Sequence, residues 1–190
     1  TLGDVTLGTF VGGTRIDKSG VVEHTFDVVD LARDSVRRVP LDFLAHAMPW
    51  FPVGGGNTGR VPSDNIPMLR QLGADPLVQK YNRIDTVYGL VNLMDDAQAA
   101  GPRFAATALI LYGSNEQLIP KGPVDTFLKN LPPDAAPRQR LVVYPQGYHM
   151  LLRDLDAETV RKDVLAWVED PKAPLPSGAE QALPRGRSAD

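Results

Sequence analysis

The chain has 190 residues, enough for one full core, and its 43% apolar and 23% charged residues are the proportions of an ordinary globular protein. A net charge of −3 offers no overall attraction for nucleic acid or an anionic membrane. With no cysteine, disulfides, thiolate metal sites and a cysteine nucleophile are excluded.

In chain order, residues 1–40 are the least assignable. Gly3, Gly8, Gly12, Gly13 and Gly20 break them into short pieces, of which VTLGTF and GVV have strand character. The opening lacks the basic start and apolar core of a signal peptide, and no apolar run reaches the ~18 residues of a membrane span. The first residue is Thr1, not Met, and the expectation is a fragment or processed product, cytoplasmic or peripheral to a membrane. In residues 41–100, LDFLAHAMPWFPV is apolar and GGGNTG is a flexible loop. Ser63 precedes a helix over DNIPMLRQLG that stops at Gly73. A second helix, over 85–99, puts Val87, Leu90, Val91, Met94 and Ala97 on one face, and Gly89 weakens it modestly.

Residues 101–170 read most clearly. TALILY (107–112) is a continuous apolar run, the pattern of a strand covered on both faces. PVDTFLKNL follows, with Val124, Phe127, Leu128 and Leu131 at amphipathic helical spacing. RLVVY (140–144) is a second strand. Asp156 then caps a last helix whose Val160, Val164, Trp167 and Val168 face inward. The Pro- and Gly-rich residues 171–190 read as a disordered tail. Strand, helix, strand, helix is the rhythm of an α/β fold with parallel strands and right-handed crossovers.

Ligands of open parallel sheets bind outside the carboxyl ends of the strands. Glu116 follows TALILYG and His149 follows RLVVYPQG, so both sit at such ends. Neighbouring strands bring their loops together. A carboxylate that accepts from one imidazole nitrogen fixes the tautomer and leaves the other nitrogen as a base.

LYGSNEQLIP resembles the acid loop of the α/β-hydrolase superfamily, with Glu116 four positions before Pro120. YPQGYHMLLRDL resembles the His loop of its monoacylglycerol lipase and lysophospholipase branch, through the step Gly147-Tyr148-His149. Residues 63–97, with their DPLV and YGLV segments, are similar to the cap of that branch. The resemblance spans roughly residues 40 to 170. It implies a partial α/β-hydrolase sheet, of parallel strands with crossover helices, plus a helical cap insert. Residues 41–100 would be the cap or lid, 101–170 the core with the acid and His loops, and 171–190 the tail.

The implied function is serine-type hydrolysis of a carboxylic ester, a monoacylglycerol or a lysophospholipid. His149 would take the proton from a serine and return it to the leaving oxygen, while Glu116 orients the imidazole and stabilises its charged form. No cofactor and no metal is implied. The implied partner is the lipid ester, without nucleic acid, with peripheral membrane contact through the cap. Tyr88, Leu90, Met94, Trp50 and Phe51 would line an acyl-chain pocket, where each buried CH₂ contributes ~0.8 kcal/mol. Leu90 and Met94 fit equally as ordinary core.

The sequence departs from the family pattern twice. The acid is Glu116 where the family usually has Asp, so one extra methylene must be absorbed by the loop. More seriously, no G-x-S-x-G occurs in the 190 residues. GTFVGG (8–13) has the spacing of a nucleophile elbow with Phe10 in the serine's place, and phenyl is no nucleophile. Ser114 lies in the wrong loop, and Ser19, Ser35 and Ser63 lack the glycines of a sharp strand-to-helix turn. Asn115 carries no charge, Asp125 starts a helix, and Asp154 and Asp156 read as caps of the last helix. His24 and His46 have no partner pattern, and His46 reads as structural. The chain on its own is therefore expected to lack esterase activity. A non-catalytic homologue that binds lipid or a partner, and an acyltransferase or peptidase of the same fold, remain the alternatives.

Overall fold

The computed structural model describes residues 15–16, 22–23, 35–54, 60–79 and 81–184. The VTLGTF and GTFVGG segments with Phe10, the residues Ser19 and His24, and positions 55–59 of GGGNTG lie outside the described residues. The chain divides into two compact units, one of Thr1–Arg60 and Ile66–Ala97, the other of Val61–Asn65 and Gln98–Asp190.

In the first unit, β1 (Arg15–Ile16) pairs antiparallel with β2 (Val22–Glu23). The apolar stretch from Leu41 divides in two. Its first part belongs to α1 (Ser35–Ala47), which begins ahead of Leu41, and its end forms β3 (Pro52–Gly54). A turn links them, with the Phe51 amide donating to the Met48 carbonyl at 2.9 Å. Next come α2 (Ile66–Ala74) and β4 (Tyr81–Arg83), which pairs antiparallel with β3. Gly73 lies inside the last turn of α2 rather than beyond it. The helix expected over 85–99 is α3 (Ile84–Ala100). Its Ile84, Val87 and Val91, one to two turns apart, bury against Leu41, with Leu44, Val53, Tyr88, Leu90 and Met94 packed around them.

The second unit is built on a sheet of order β5-β6-β7. β5 (Ala108–Gly113) and β6 (Gln139–Tyr144) are parallel, in register from Ala108↔Gln139 to Gly113↔Tyr144, and α4 (Lys121–Lys129) lies between them in the chain. The continuous apolar run of β5 has a direct cause. Leu109 and Leu111 pack with Val142, Tyr144, Val160 and Leu175, while Ile110 packs with Leu141, Val143, Leu128 and Phe127. Alternate side chains therefore serve clusters that contain different helices, α4 for one and α5 (Ala157–Glu169) for the other.

Two expectations need correction here. Val168 does not face inward: it is 64% exposed, and the buried stripe of α5 runs through Ala157, Val160 and Asp163. A charged residue at Asp163 hid that stripe from an apolar-only count. The 171–190 segment is not a disordered tail throughout its length. Residues up to Pro184 are described, and β7 (Glu180–Gln181) pairs antiparallel with Leu141 and Val142 of β6. Leu175 is buried in the sheet cluster. The fully buried Asp163 accepts the Ser177 amide at 2.9 Å and the Tyr144 hydroxyl at 2.8 Å. Arg140 donates to the Pro171 and Ala173 carbonyls and forks onto the Glu180 carboxylate at 2.8 and 2.6 Å. Composition misleads because polar side chains from β6 and α5, together with a few apolar residues of its own such as Leu175, hold this segment.

Candidate functional site

The acid and His loops leave the same ends of two paired strands. Parallel pairing places Gly113 opposite Tyr144, so the next residues of both chains emerge side by side. The Ser114 amide donates to the Tyr144 carbonyl and the Asn115 amide to the Gly147 carbonyl, both at 2.9 Å. This cross-over is tight at both glycines, and at Gly113 the obstruction is backbone. A methyl on Gly113 would run into the Gly147 carbonyl, and one on Gly147 into the Leu151 side chain, with Tyr144 Cβ at 3.0 Å. Gly147 is needed for this close approach. It is not needed for a left-handed turn, because Gly178 alone among the described glycines has a positive φ.

His149 and Glu116 meet. Imidazole Nδ1 lies 2.6 Å from Glu116 Oε2, with both side chains buried at 3% and 6% exposure. The other carboxylate oxygen, Oε1, accepts the Leu118 amide at 2.6 Å and the Ile119 amide at 3.1 Å. Those two amides hold the longer glutamate chain in a folded-back turn, and so the loop absorbs the extra methylene. Tyr112 closes the turn by donating its hydroxyl to the Ile119 carbonyl at 3.0 Å. Burial, helped by the charges of Glu116 and Asp125, pushes that phenol up to about 12, so it stays a proton donor at neutral pH. With the Glu116 carboxylate accepting at Nδ1, the imidazole carries its proton there. Nε2 is buried and has no hydrogen-bond partner. An imidazole so held is ready to take a proton at Nε2 from a group brought against it.

A third carboxylate, which a cap role does not describe, supports the His loop. Asp154 is buried. Its Oδ2 accepts the Tyr148 amide at 2.7 Å, and its Oδ1 accepts the Ser63 hydroxyl at 2.6 Å. Burial pushes its carboxyl above the ordinary 3.8. Segment 61–65 is laced to the same loop. The Met150 amide donates to the Pro62 carbonyl, Asn65 Nδ2 to the Arg153 carbonyl at 2.9 Å, and the Leu155 amide to Asp64 at 2.8 Å. Ser63 is thus a fully buried link in this network. Asp156 does occupy the N-cap of α5, yet its carboxylate accepts the Thr159 hydroxyl and no backbone amide. The sequence signal for Asp154 was slender: an acid a few residues past a loop histidine, with its partner 91 positions away.

The remaining candidates are dispersed. Tyr88, Leu90 and Met94 pack onto the apolar cluster of the first unit. Trp50 and Phe51 are 66% and 46% exposed. His46 is a surface residue, set edge-on to Tyr88 with ring centroids 5.4 Å apart and with Nδ1 2.8 Å from the Asp42 carbonyl. Ser114 is exposed. Among the described residues no group of three or more His, Cys, Asp or Glu is arranged to hold a metal ion, and no helix is long and apolar enough to cross a membrane.

The family described as serine aminopeptidase, S33, matches residues 27–156, which include both loops. Two solved structures share the fold. A monoacylglycerol lipase from Paleococcus ferrophilus superposes with a TM-score of 0.62 at 18% identity, over 71% of this chain and 52% of that one. A soluble variant of monoglyceride lipase from Saccharomyces cerevisiae, in complex with a substrate analog, gives 0.58 at 16% identity, over 74% of this chain and 50% of that one. The chain thus spans about half the length of each. No curated protein matches it.

Proposed function

The chain belongs to the serine aminopeptidase S33 family of α/β-hydrolases, and on that premise we propose that it is the acid-and-base part of a serine-type carboxylic ester hydrolase. One observation carries the reading. His149 is fixed by Glu116 at 2.6 Å through Nδ1, while its Nε2 is buried without a partner. In this reading His149 accepts the proton of an attacking serine hydroxyl at Nε2. It then delivers that proton to the leaving alcohol oxygen, as Glu116 stabilises the transient imidazolium. The substrate is a lipid monoester, a monoacylglycerol or lysophospholipid, and the likeness to two monoacylglycerol lipases supports that choice. Tyr88, Leu90, Met94 and Trp50 contact its acyl chain, and the exposed aromatics Trp50 and Phe51 touch the membrane from which it comes.

The 190 residues contain no G-x-S-x-G, so we propose further that this chain by itself does not turn over esters. The test is p-nitrophenyl ester hydrolysis by the chain and by His149→Ala. Absence of turnover in both agrees with the proposal. Turnover abolished in His149→Ala overturns the inactivity and keeps the role of His149, because loss of a triad member costs orders of magnitude. Turnover unchanged in His149→Ala overturns that role.

Peptide hydrolysis is the second reading, favoured by the description of the matching family. A thermal shift with monoolein, lysophosphatidylcholine and a short peptide separates the substrate classes and also detects binding without turnover.

A further inference from the structure

The base pair Glu116–His149 is supported on one side by the acid loop, but what holds the His149 backbone in place is a different set of groups. Successive turns link Met150 to Ala157, with the Asp154 amide donating to the Met150 carbonyl at 3.0 Å and the Ala157 amide to the Asp154 carbonyl at 3.1 Å. The Asp154 side chain folds back within these turns. It binds the Tyr148 amide, immediately before His149, and the hydroxyl of Ser63 on a distant segment. Ser63 also accepts the Asn65 amide at 3.2 Å, so its hydroxyl links segment 61–65 to Asp154. A buried carboxylate is costly unless both oxygens are satisfied. A fully buried serine whose hydroxyl serves a carboxylate is equally hard to account for by packing.

We infer that Asp154, held by Ser63, is the positioning residue for His149: it fixes the Tyr148–His149 peptide so that Nδ1 reaches Glu116 and Nε2 stays buried. The inference rests on the reading of Glu116–His149 as the acid–base pair. Asp154 touches neither partner with a hydrogen bond and acts through the backbone. Displacement of a catalytic group by a fraction of an ångström is enough to lose productive geometry.

The experiment uses the full 190-residue chain and needs no turnover. An Nδ1 proton shared with a carboxylate at 2.6 Å gives a far-downfield proton resonance, which is lost when the pair separates. Asp154→Ala should abolish that resonance and speed Tyr148 amide exchange roughly tenfold, the effect of one lost hydrogen bond. Asp154→Asn keeps an acceptor for Tyr148 and should retain the resonance in attenuated, faster-exchanging form. Asp163→Asn perturbs an equally buried carboxylate of the same unit. It should lower the melting temperature and leave the His149 resonance in place, which separates positioning from mere stability. A folded Asp154→Ala chain with the original resonance and exchange overturns the inference. If that variant does not fold, an Asp154→Asn chain indistinguishable from the original overturns it instead. Glu116→Gln is the independent arm. A resonance that survives there refutes the acid–base pair itself, whatever Asp154 does.

Discussion

The two compact units both bury apolar residues and differ in the polar ones they bury. The first has an apolar interior, with Leu41, Ala45, Leu69, Ile84, Val87 and Val91. Among the described residues the buried polar ones, Ser63, Gln139, His149, Asp154 and Asp163, all belong to the second. Both units expose large apolar residues, among them Leu152, Leu155, Leu165 and Val168 in the second. Phe43, Trp50, Phe51, Leu77 and Tyr81 of the first unit are exposed. Apolar contacts are nondirectional and tolerate repacking, whereas buried hydrogen bonds have one geometry and are costly when broken. The second unit therefore has the means to hold an imidazole in one orientation.

That contrast is open to direct attack. The largest effect is expected from Asp163→Ala, which orphans the Tyr144 hydroxyl and the Ser177 amide. At ~1–3 kcal/mol for each unsatisfied group it should cost about 4 kcal/mol in urea denaturation. Gly113→Ala should follow at about 3 kcal/mol, because its methyl meets backbone, which cannot swing aside. It should also remove the downfield His149 resonance. In the first unit, Val87→Ala deletes two buried methyl groups and should cost about 2 kcal/mol without touching that resonance. Equal losses from Asp163→Ala and Val87→Ala would erase the distinction between the units. Trp50→Ala, at an exposed site, should stay within ~0.5 kcal/mol while weakening any thermal shift with monoolein.

The smallest effect concerns pH. Arg140 holds the Glu180 carboxyl below its ordinary 4.5, so the folded value lies under the unfolded one. The stabilisation is present above 4.5 and is lost as pH falls through the folded value. Resonances of residues 171–184 should lose dispersion on acidification below about pH 4.5, and only modestly, since Glu180 is 41% exposed and screened. Asp154 has the opposite sign. Its folded value lies above 3.8, so its contribution is largest at low pH and declines as pH rises through that raised value.

Legibility followed the same division. The helices α3, α4 and α5 and the strands β5 and β6 could be read because one-sided burial leaves a period of 3.6 and two-sided burial leaves an unbroken apolar run. Glu116 and His149 could be read because each closes a strand and sits in a motif of its own. Trp50 and Phe51 read as lining an acyl-chain pocket from their apolarity, and they are 66% and 46% exposed, since a sequence window does not say which face has a neighbour. Residues 171–190 read as disordered because the polar groups that hold part of them, Arg140 and Asp163, lie elsewhere in the chain.

By itself the sequence determined the α/β class, the choice of Glu116 and His149 as candidates, and the lack of G-x-S-x-G, all of which are local patterns. Tertiary structure alone decided that Nδ1 and Oε2 meet at 2.6 Å, that Gly113 and Gly147 cross without side chains between them, and that Asp154 reaches back to Ser63. These are contacts between residues 33, 34 and 91 positions apart. No local propensity specifies such pairs; parallel pairing of β5 with β6 produces the first two, by bringing both loops to one end of one sheet, and the third is made by segment 61–65.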